Sequence, residues 1–268
     1  MHFPQELIEE IISYLSFHDK EDQRSLRNCS LVAKSWIYPS RKRIFESITI
    51  TGANRQSWLD RISPSNTELL QHVRTFHLSI CVPLERTIHG HPEIEDIYVY
   101  FPSFHRLHTI NLTDTRIFYD TPEEVQMLSS CQQTLTSLAL CSVSFRWRTF
   151  IALIDYFPNL RYLETDCLAF EDTSNNPPPL SRPLRGTLRF CYGEKKDLAA
   201  LSNWFTGLEV EYEELMIEVN YFTGECSQRV VDTCAKTLKR LRFELSECIM
   251  PQTVLRTLAN PSSKWVSL

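Results

Sequence analysis

The chain has 268 residues, a formal net charge of −5 and 43% hydrophobic residues. These values are ordinary for a globular protein of one or two domains, and the acidic balance argues against a nucleic-acid-binding protein with a broad basic surface. Glycine is scarce, and the closest two, Gly186 and Gly193, are seven positions apart. This spacing excludes the glycine-rich phosphate-binding loops and the G-x-S-x-G nucleophile elbow.

The distribution of apolar and cysteine residues predicts the compartment. The first ten residues have neither the basic nor the apolar region of a signal peptide, and the longest charge-free run, residues 125–145, is too rich in Ser, Thr and Gln to span a membrane. The nine cysteines form no C-x-x-C motif, which favours free thiols in a reducing compartment. We therefore expect a protein of the cytoplasm and/or the nucleus, with no membrane partner.

All eight histidines lie within the first 108 residues, where two closely spaced pairs are candidate metal ligands. The pairs His89/His91 and His105/His108 match no common zinc-site spacing and have no cysteine near them in sequence. We expect no metal site, no cofactor and no catalytic residue.

The first 45 residues predict three short helices. Pro4 suits a first helical turn, and the residues that follow place their apolar side chains on one broad helix face. We expect a second helix over about 21–32 that buries Leu26, Cys29 and Val32, and a third from about residue 33 that Pro39 kinks or interrupts. A segment of this size is near the lower limit for folding alone, so its apolar surface needs either the rest of the chain or a partner.

These residues resemble an F-box. Residues 3–15 follow the family's proline, glutamate and paired aliphatic residues, and residues 29–36 end in its valine, basic residue and tryptophan. Phe3 replaces the family's first leucine, Ala33 stands directly before Lys34, and the polar connection between the two runs is longer than usual. Alternatively, the three helices only cap the domain that follows.

The resemblance implies a three-helix motif that docks on a Skp-type adaptor, and through it on a cullin, in a ubiquitin ligase. We expect Leu7, Ile8, Ile12 and Trp36 to be partly exposed in the isolated chain. The residues that the resemblance assigns to adaptor binding are Pro4, Leu7, Ile8, Ile11, Ile12, Leu15, Val32 and Trp36.

The rest of the chain repeats an apolar strand pattern. Anchor residues recur every 25 to 34 positions, and most have another apolar residue three positions earlier, as in the L-x-x-L-x-L strand of a leucine-rich repeat. Helical patterns at 122–128, 150–156, 198–205 and 228–235 lie between the anchors. The anchors are Ile48, Phe76, Ile110, Leu138, Leu163, Leu188, Leu215 and Leu241.

A strand, a helix and a parallel strand in the next turn build a right-handed solenoid. We therefore predict an α/β fold with two domains: an F-box-like three-helix motif over 1–45, and an irregular leucine-rich-repeat-like β/α solenoid of about eight parallel strands over 46–268. The repeat asparagine is missing from nearly every unit, and a doubly wound α/β domain is the alternative fold. The whole chain resembles an F-box protein with a degenerate leucine-rich-repeat-like C-terminal domain, as in a fungal F-box-like family.

Strand alternation places the anchors inside and their neighbours outside. Tyrosine and arginine are frequent among residues that dominate binding energy, so we expect the outward side chains of the later strands to hold a target protein. The alternative is a solvated strand face whose charges neutralise one another. The predicted target-binding residues are Tyr162, Glu164, Arg189, Arg240 and Arg242.

The predicted function is that of a substrate receptor in a Skp–cullin–F-box ubiquitin ligase, which recruits a protein target for degradation and performs no covalent chemistry itself. The alternative is a leucine-rich-repeat-like interaction scaffold that has no ligase role.

Overall fold

A computed structural model describes residues 3–16, 19–61, 64–79, 100–114, 126–170, 180–191, 195–208, 210–219 and 224–245. The chain divides into two compact units. The first comprises residues 1–110 and 127–134, and the second comprises residues 111–126 and 135–268.

Three helices open the first unit, as predicted: α1 (Gln5–Tyr14), α2 (Lys20–Val32) and α3 (Lys34–Ile44). We call residues 3–45 the helical module. Its buried core consists of Ile8, Ile12 and Leu26, and Leu15, Cys29, Trp36 and Ile44 pack against these three.

One expectation for this module is wrong. Val32 is exposed rather than buried, because it lies six positions after Leu26, a rotation of about 240° that takes it off the core face. Of the two outcomes expected at Pro39, a kink or an interruption, the structure excludes the interruption, because α3 continues to Ile44. Pro39 is buried within the helix and cannot donate the hydrogen bond that would reach Ser35.

The rest of the first unit begins with a parallel strand pair, β1 (Ser47–Thr51) and β2 (Thr75–Ser79), in which the anchors Ile48 and Phe76 stand opposite each other. Helix α4 (Arg55–Arg61) and a 3-10 helix (Pro64–His72) connect the two strands. A second 3-10 helix, Phe101–Ser103, precedes β3 (Thr109–Thr113). Phe76 packs against Phe101 and Phe104, with ring centroids 5.2 and 5.5 Å away.

The second unit contains five long strands that pair in parallel. The anchors on these strands stand side by side in register, as predicted, and all but Leu241 are buried. Two shorter strands, β5 (Ser144–Phe145) and β7 (Ala169–Phe170), form a separate parallel pair. The long strands are β4 (Ser137–Cys141), β6 (Tyr162–Asp166), β8 (Leu184–Phe190), β9 (Val210–Val219) and β10 (Arg240–Leu245).

Helices separate these strands at three of the predicted places: α5 (Trp147–Tyr156), α6 (Lys195–Thr206) and α7 (Gly224–Cys234). The predicted helix at 122–128 lies mostly outside the described residues, and a 3-10 helix (Gln126–Cys131) covers its end. An aromatic cluster joins α5, α6 and the short strand β7. Its members are Trp147, Phe150, Phe170 and Trp204, with neighbouring ring centroids 4.1 to 5.7 Å apart.

A recurrent turn ends three of the strands. Asp114, Ser142 and Cys167 each follow a strand directly and have positive φ angles of 52°, 53° and 49°. The Asp114 N–H donates to the Cys141 carbonyl at 2.9 Å, and the Ser142 N–H donates to the Asp166 carbonyl at 2.8 Å. The turns at Asp114 and Ser142 therefore each bond to the end of the next long strand, β4 and β6 respectively.

Candidate functional site

An apolar stripe lies along the outer side of α1. Leu7, Ile11 and Tyr14 are spaced by three or four residues, so they share one face of α1, and Phe3 lies two residues before the helix begins. The side chains of Phe3, Leu7, Ile11 and Tyr14 are 49%, 45%, 42% and 78% exposed. We call these four residues the α1 stripe. Leu31 and Val32 at the end of α2, and Tyr38 on α3, are also exposed.

The stripe is exposed because the neighbouring face of α1 already fills the core. Ile8 and Ile12 are 0% and 3% exposed, so our expectation that these two are partly exposed in the isolated chain is wrong. Ile8 and Ile12 follow Leu7 and Ile11 by one residue, which rotates their side chains by about 100° around the helix axis. The predicted apolar face is therefore divided into a buried half with Ile8 and Ile12 and an exposed half with Leu7 and Ile11.

The remaining predicted adaptor residues have mixed environments. Pro4 is exposed, and its carbonyl accepts a hydrogen bond from the Ile8 N–H at 3.3 Å. Leu15 and Trp36 are half-buried against the core of the module, and the Trp36 ring meets the Phe3 ring edge-on at 6.4 Å. The expected partial exposure therefore holds for Leu7 and Trp36.

Polar contacts fix how the three helices meet. The Asp19 carboxylate caps α2 by accepting from the N–H groups of Glu21 and Asp22, at 2.8 and 3.1 Å. The Asp22 carboxylate accepts from the Ser16 N–H at 2.8 Å, and Arg43 of α3 donates to the Leu15 carbonyl at 3.1 Å. The end of α1 is thus tied to both other helices, which holds the α1 stripe in place.

Sequence reasoning missed four of the exposed apolar residues: Phe3, Tyr14, Leu31 and Tyr38. The three-residue spacing from Ile11 identifies Tyr14 in retrospect, whereas Phe3 lies before the helix, where this period does not apply. Leu31 and Tyr38 follow no such period, and no sequence signal indicated them.

The second candidate surface is the outward face of β4, β6, β8, β9 and β10, which we call the outward face. The burial pattern of the strands alternates as predicted, so the outward side chains are half-buried or exposed. The parallel register aligns Tyr162 with Thr187, Glu214 and Arg240, and aligns Glu164 with Arg189, Met216 and Arg242. The structure therefore brings all five predicted target-binding residues onto one face.

Most of these five residues are engaged with one another or with neighbours. Arg189 donates to Glu164 on β6 and to Glu244 on β10, both at 2.9 Å, and Arg240 pairs with Glu214 at 3.0 Å. The Tyr162 hydroxyl donates to Glu164 at 2.9 Å. Burial, together with this contact, raises the pKa of Tyr162 to about 12, so the hydroxyl stays a donor at neutral pH.

Thiols lie at the carboxyl ends of the strands. The Cys141 thiol donates to the Asp166 carboxylate at 3.1 Å, and burial and Asp166 together raise its pKa to about 12. Cys167 is exposed, and burial of its sulfur, helped by nearby carboxylates including Asp166, raises its pKa to about 11. Both groups are therefore neutral thiols at pH 7 and weak nucleophiles.

Within the part of the chain that the structure describes, no group of three or more His, Cys, Asp or Glu side chains is arranged to hold a metal ion. His89 and His91 lie outside that part, and the ring Nδ1 of His108 lies 3.0 Å from the Thr134 carbonyl. No helix among the described residues is both long enough and apolar enough to cross a bilayer.

Comparison with known families identifies the helical module. Residues 1–37 match the F-box domain, which covers α1, α2 and the start of α3. The resemblance seen in the sequence is thus confirmed for this segment. No curated protein matches the chain.

Proposed function

We propose that this protein is the substrate-receptor subunit of a Skp–cullin–F-box ubiquitin ligase. The F-box match at residues 1–37 is the observation that carries the proposal. The exposed apolar surface supports it, because every large hydrophobic side chain that is exposed among the described residues lies between residues 3 and 38. Concentrated apolar exposure of this kind marks an interaction site on a folded protein.

The proposed mechanism is proximity without covalent chemistry by this chain. The helical module binds a Skp-type adaptor and through it a cullin, and the outward face binds a target protein. The complex then raises the effective concentration of the target's lysines near the charged ubiquitin carrier.

We propose further that residues 46–268 form a leucine-rich-repeat-like solenoid. The in-register parallel strands and the recurrent left-handed turn after β3, β4 and β6 support this arrangement. The free thiols among the described cysteines are consistent with a reducing compartment, the cytoplasm and/or the nucleus.

The test is co-purification of the full chain with a co-expressed Skp-type adaptor. Leu7→Asp should reduce the recovered adaptor more than tenfold, because the new carboxylate would enter an apolar interface without a partner. The matched control is Gln5→Asp, which adds the same charge to the first turn of α1, where the helix dipole tolerates it, and which lies off the α1 stripe.

If both variants and the parent chain retain the adaptor equally, the α1 stripe is not the binding surface. If the parent chain binds no adaptor at all, the ligase role is wrong and the alternative of an interaction scaffold replaces it.

A further inference from the structure

The end of α1 depends on other elements for its last carbonyl groups. The final four carbonyls of an α-helix have no donor within the helix. The last turn of α1 contains no basic residue, so no cation of its own complements the negative end of the helix dipole. This turn carries Ile11 and Tyr14, two of the four residues of the α1 stripe. Half of the stripe therefore lies on a helix end that needs support from elsewhere.

Arg43 of α3 supplies this support. Its Nε donates to the Leu15 carbonyl at 3.1 Å, and its Nη2 donates to the Ser13 carbonyl at 3.4 Å. A guanidinium can serve several acceptors at once through its planar fork, and its positive charge is favourable at the carboxyl end of a helix. The Arg43 side chain is 26% exposed, so solvent screens these contacts only in part.

Glu46 fixes the orientation of this guanidinium. Its Oε2 accepts a hydrogen bond from Nη1 of Arg43 at 2.5 Å, and its Oε1 lies 3.4 Å from Nη1 of Arg74. The Glu46 backbone carbonyl also accepts from the N–H groups of Arg74 and Thr75, at 2.8 and 3.0 Å. Thr75 is the first residue of β2. Glu46 is thus held by the start of a strand, and it holds Arg43 in turn.

The connection between the helix and the strands is short. Only Phe45 and Glu46 separate the end of α3 from the start of β1. The Phe45 ring meets the Trp58 ring of α4 edge-on, with the centroids 6.3 Å apart. Because Arg43 lies in the last turn of α3, it reaches α1 from a position that this packed connection fixes.

We propose that Arg43 is a positioning residue for adaptor binding, which keeps the last turn of α1 ordered before the adaptor binds, and that Glu46 acts through Arg43. The proposal rests on the proposed function as an adaptor-binding subunit. The F-box match ends at residue 37 and assigns no role to either residue. A chain whose last α1 turn is frayed binds the adaptor only from its ordered fraction, so its apparent dissociation constant rises in inverse proportion to that fraction.

The test is a titration of the full chain with a purified Skp-type adaptor. Arg43→Ala removes the guanidinium, Glu46→Gln removes the charge that orients it, and a third variant combines the two substitutions. The matched control is Arg41→Ala, which removes an arginine side chain from the same turn of α3, where it is exposed.

Arg43→Ala should weaken adaptor binding about fivefold, whereas Arg41→Ala should change it by less than about twofold. Glu46→Gln should weaken binding about twofold to threefold, because the guanidinium keeps its carbonyl acceptors but loses the carboxylate that orients it. The combined variant should bind about as weakly as Arg43→Ala alone, since the effects of residues in one network do not add.

Hydrogen exchange of the free chain separates positioning from general stability. A fivefold weaker affinity means that the last turn is ordered about one-fifth of the time. In Arg43→Ala the amides of residues 11–15 should therefore lose nearly all their protection, while the amides of β1 and β2 keep theirs. Arg41→Ala should leave both sets of amides unchanged.

Equal adaptor affinity of Arg43→Ala and the parent chain, or equal losses in Arg43→Ala and Arg41→Ala, would overturn the proposal. Unchanged exchange at the end of α1 would overturn it as well, and so would a loss of protection that extends to β1 and β2, because Arg43 would then stabilise the fold as a whole. Additive losses in the combined variant would contradict the part assigned to Glu46.

The parent chain separates this proposal from the ligase role on which it rests. If the parent chain binds no adaptor, the ligase role is wrong and the positioning role is wrong with it. If the parent chain and Arg43→Ala bind the adaptor equally well, only the positioning role is wrong.

Discussion

The helical module and the second unit differ in how many of their large hydrophobic side chains are exposed. The module buries three side chains in its core and leaves seven large hydrophobic side chains exposed. In the second unit, no large hydrophobic side chain of the described residues is exposed, and five of the seven ion pairs of the described chain belong to it.

The difference separates residues that stabilise the fold from residues that are free to bind. In the second unit, the aligned leucines, with the exception of Leu241, and the aromatic cluster are buried, and the outward side chains of the strands are largely polar or charged. In the module, a core of three residues uses only half of the apolar face of α1. The other half gains its burial energy only from a partner.

The largest expected effect tests this separation with two leucines. Leu138→Ala should lower the free energy of unfolding by about 2–5 kcal/mol, because it truncates a fully buried anchor. Leu7→Ala should lower it by less than about 0.5 kcal/mol, since Leu7 is almost half exposed. Urea denaturation measures both changes in stability. In adaptor co-purification the order should be reversed, with Leu7→Ala reducing the recovered adaptor more than Leu138→Ala. Equal losses of stability would mean that the α1 stripe is part of the fold.

The sequence was sufficient to predict much of the strand architecture. Alternation at Leu138, Leu163 and Leu188 predicted both the buried face and the parallel register, because one residue of slip would have exposed every anchor. The same alternation placed Tyr162 and Arg189 on the outward face. Periodicity of this kind depends only on local geometry, so a single chain reveals it.

The sequence could not predict how each apolar or charged residue is used. Leu7 and Ile8 are equally apolar, and only the packing of α2 and α3 against α1 decides that Ile8 is buried and Leu7 is not. The bridge from Glu164 through Arg189 to Glu244 joins residues 25 and 55 positions apart. Such contacts depend on the strand order and on side-chain reach, which no local pattern contains.

The second prediction concerns the close approach of two chain segments in the second unit. Gly186 has φ = +97°, and a Cβ atom there would lie 2.1 Å from the Arg161 carbonyl oxygen. Gly186→Ala should therefore cost about 1–3 kcal/mol of stability, from strain at a positive φ and the required shift of β8. The control is Gly52→Ala, since a Cβ at Gly52 meets nothing within 4 Å, and thermal denaturation compares the two. A similar loss of stability in both variants would show that β8 shifts to accommodate the added Cβ atom without cost.

The third prediction concerns the cap that orients α2 in the module. Asp19→Ala should lower stability by about 0.5–2 kcal/mol, because the N–H groups of Glu21 and Asp22 lose their acceptor. Asp19→Asn, whose side-chain oxygen can also cap a helix, should retain most of the stability. Denaturation followed by helical circular dichroism measures both variants. Equal losses in the two would contradict the capping role.

The smallest expected effect uses Cys167 to report the charge on the outward face. Its pKa is raised to about 11, and only the thiolate reacts with iodoacetamide. Its alkylation rate, followed by mass spectrometry of the Cys167 peptide, should therefore rise roughly tenfold per pH unit between pH 8 and 10. Asp166→Asn removes one carboxylate that raises this pKa, so the pKa should fall and the rate at pH 8 should increase a few-fold. Glu213→Gln removes the same charge from the amino end of β9 and should leave the rate unchanged. If Asp166→Asn slows the reaction or leaves it unchanged, Asp166 does not create the negative potential at Cys167 that distinguishes the charged outward face from the apolar surface of the helical module.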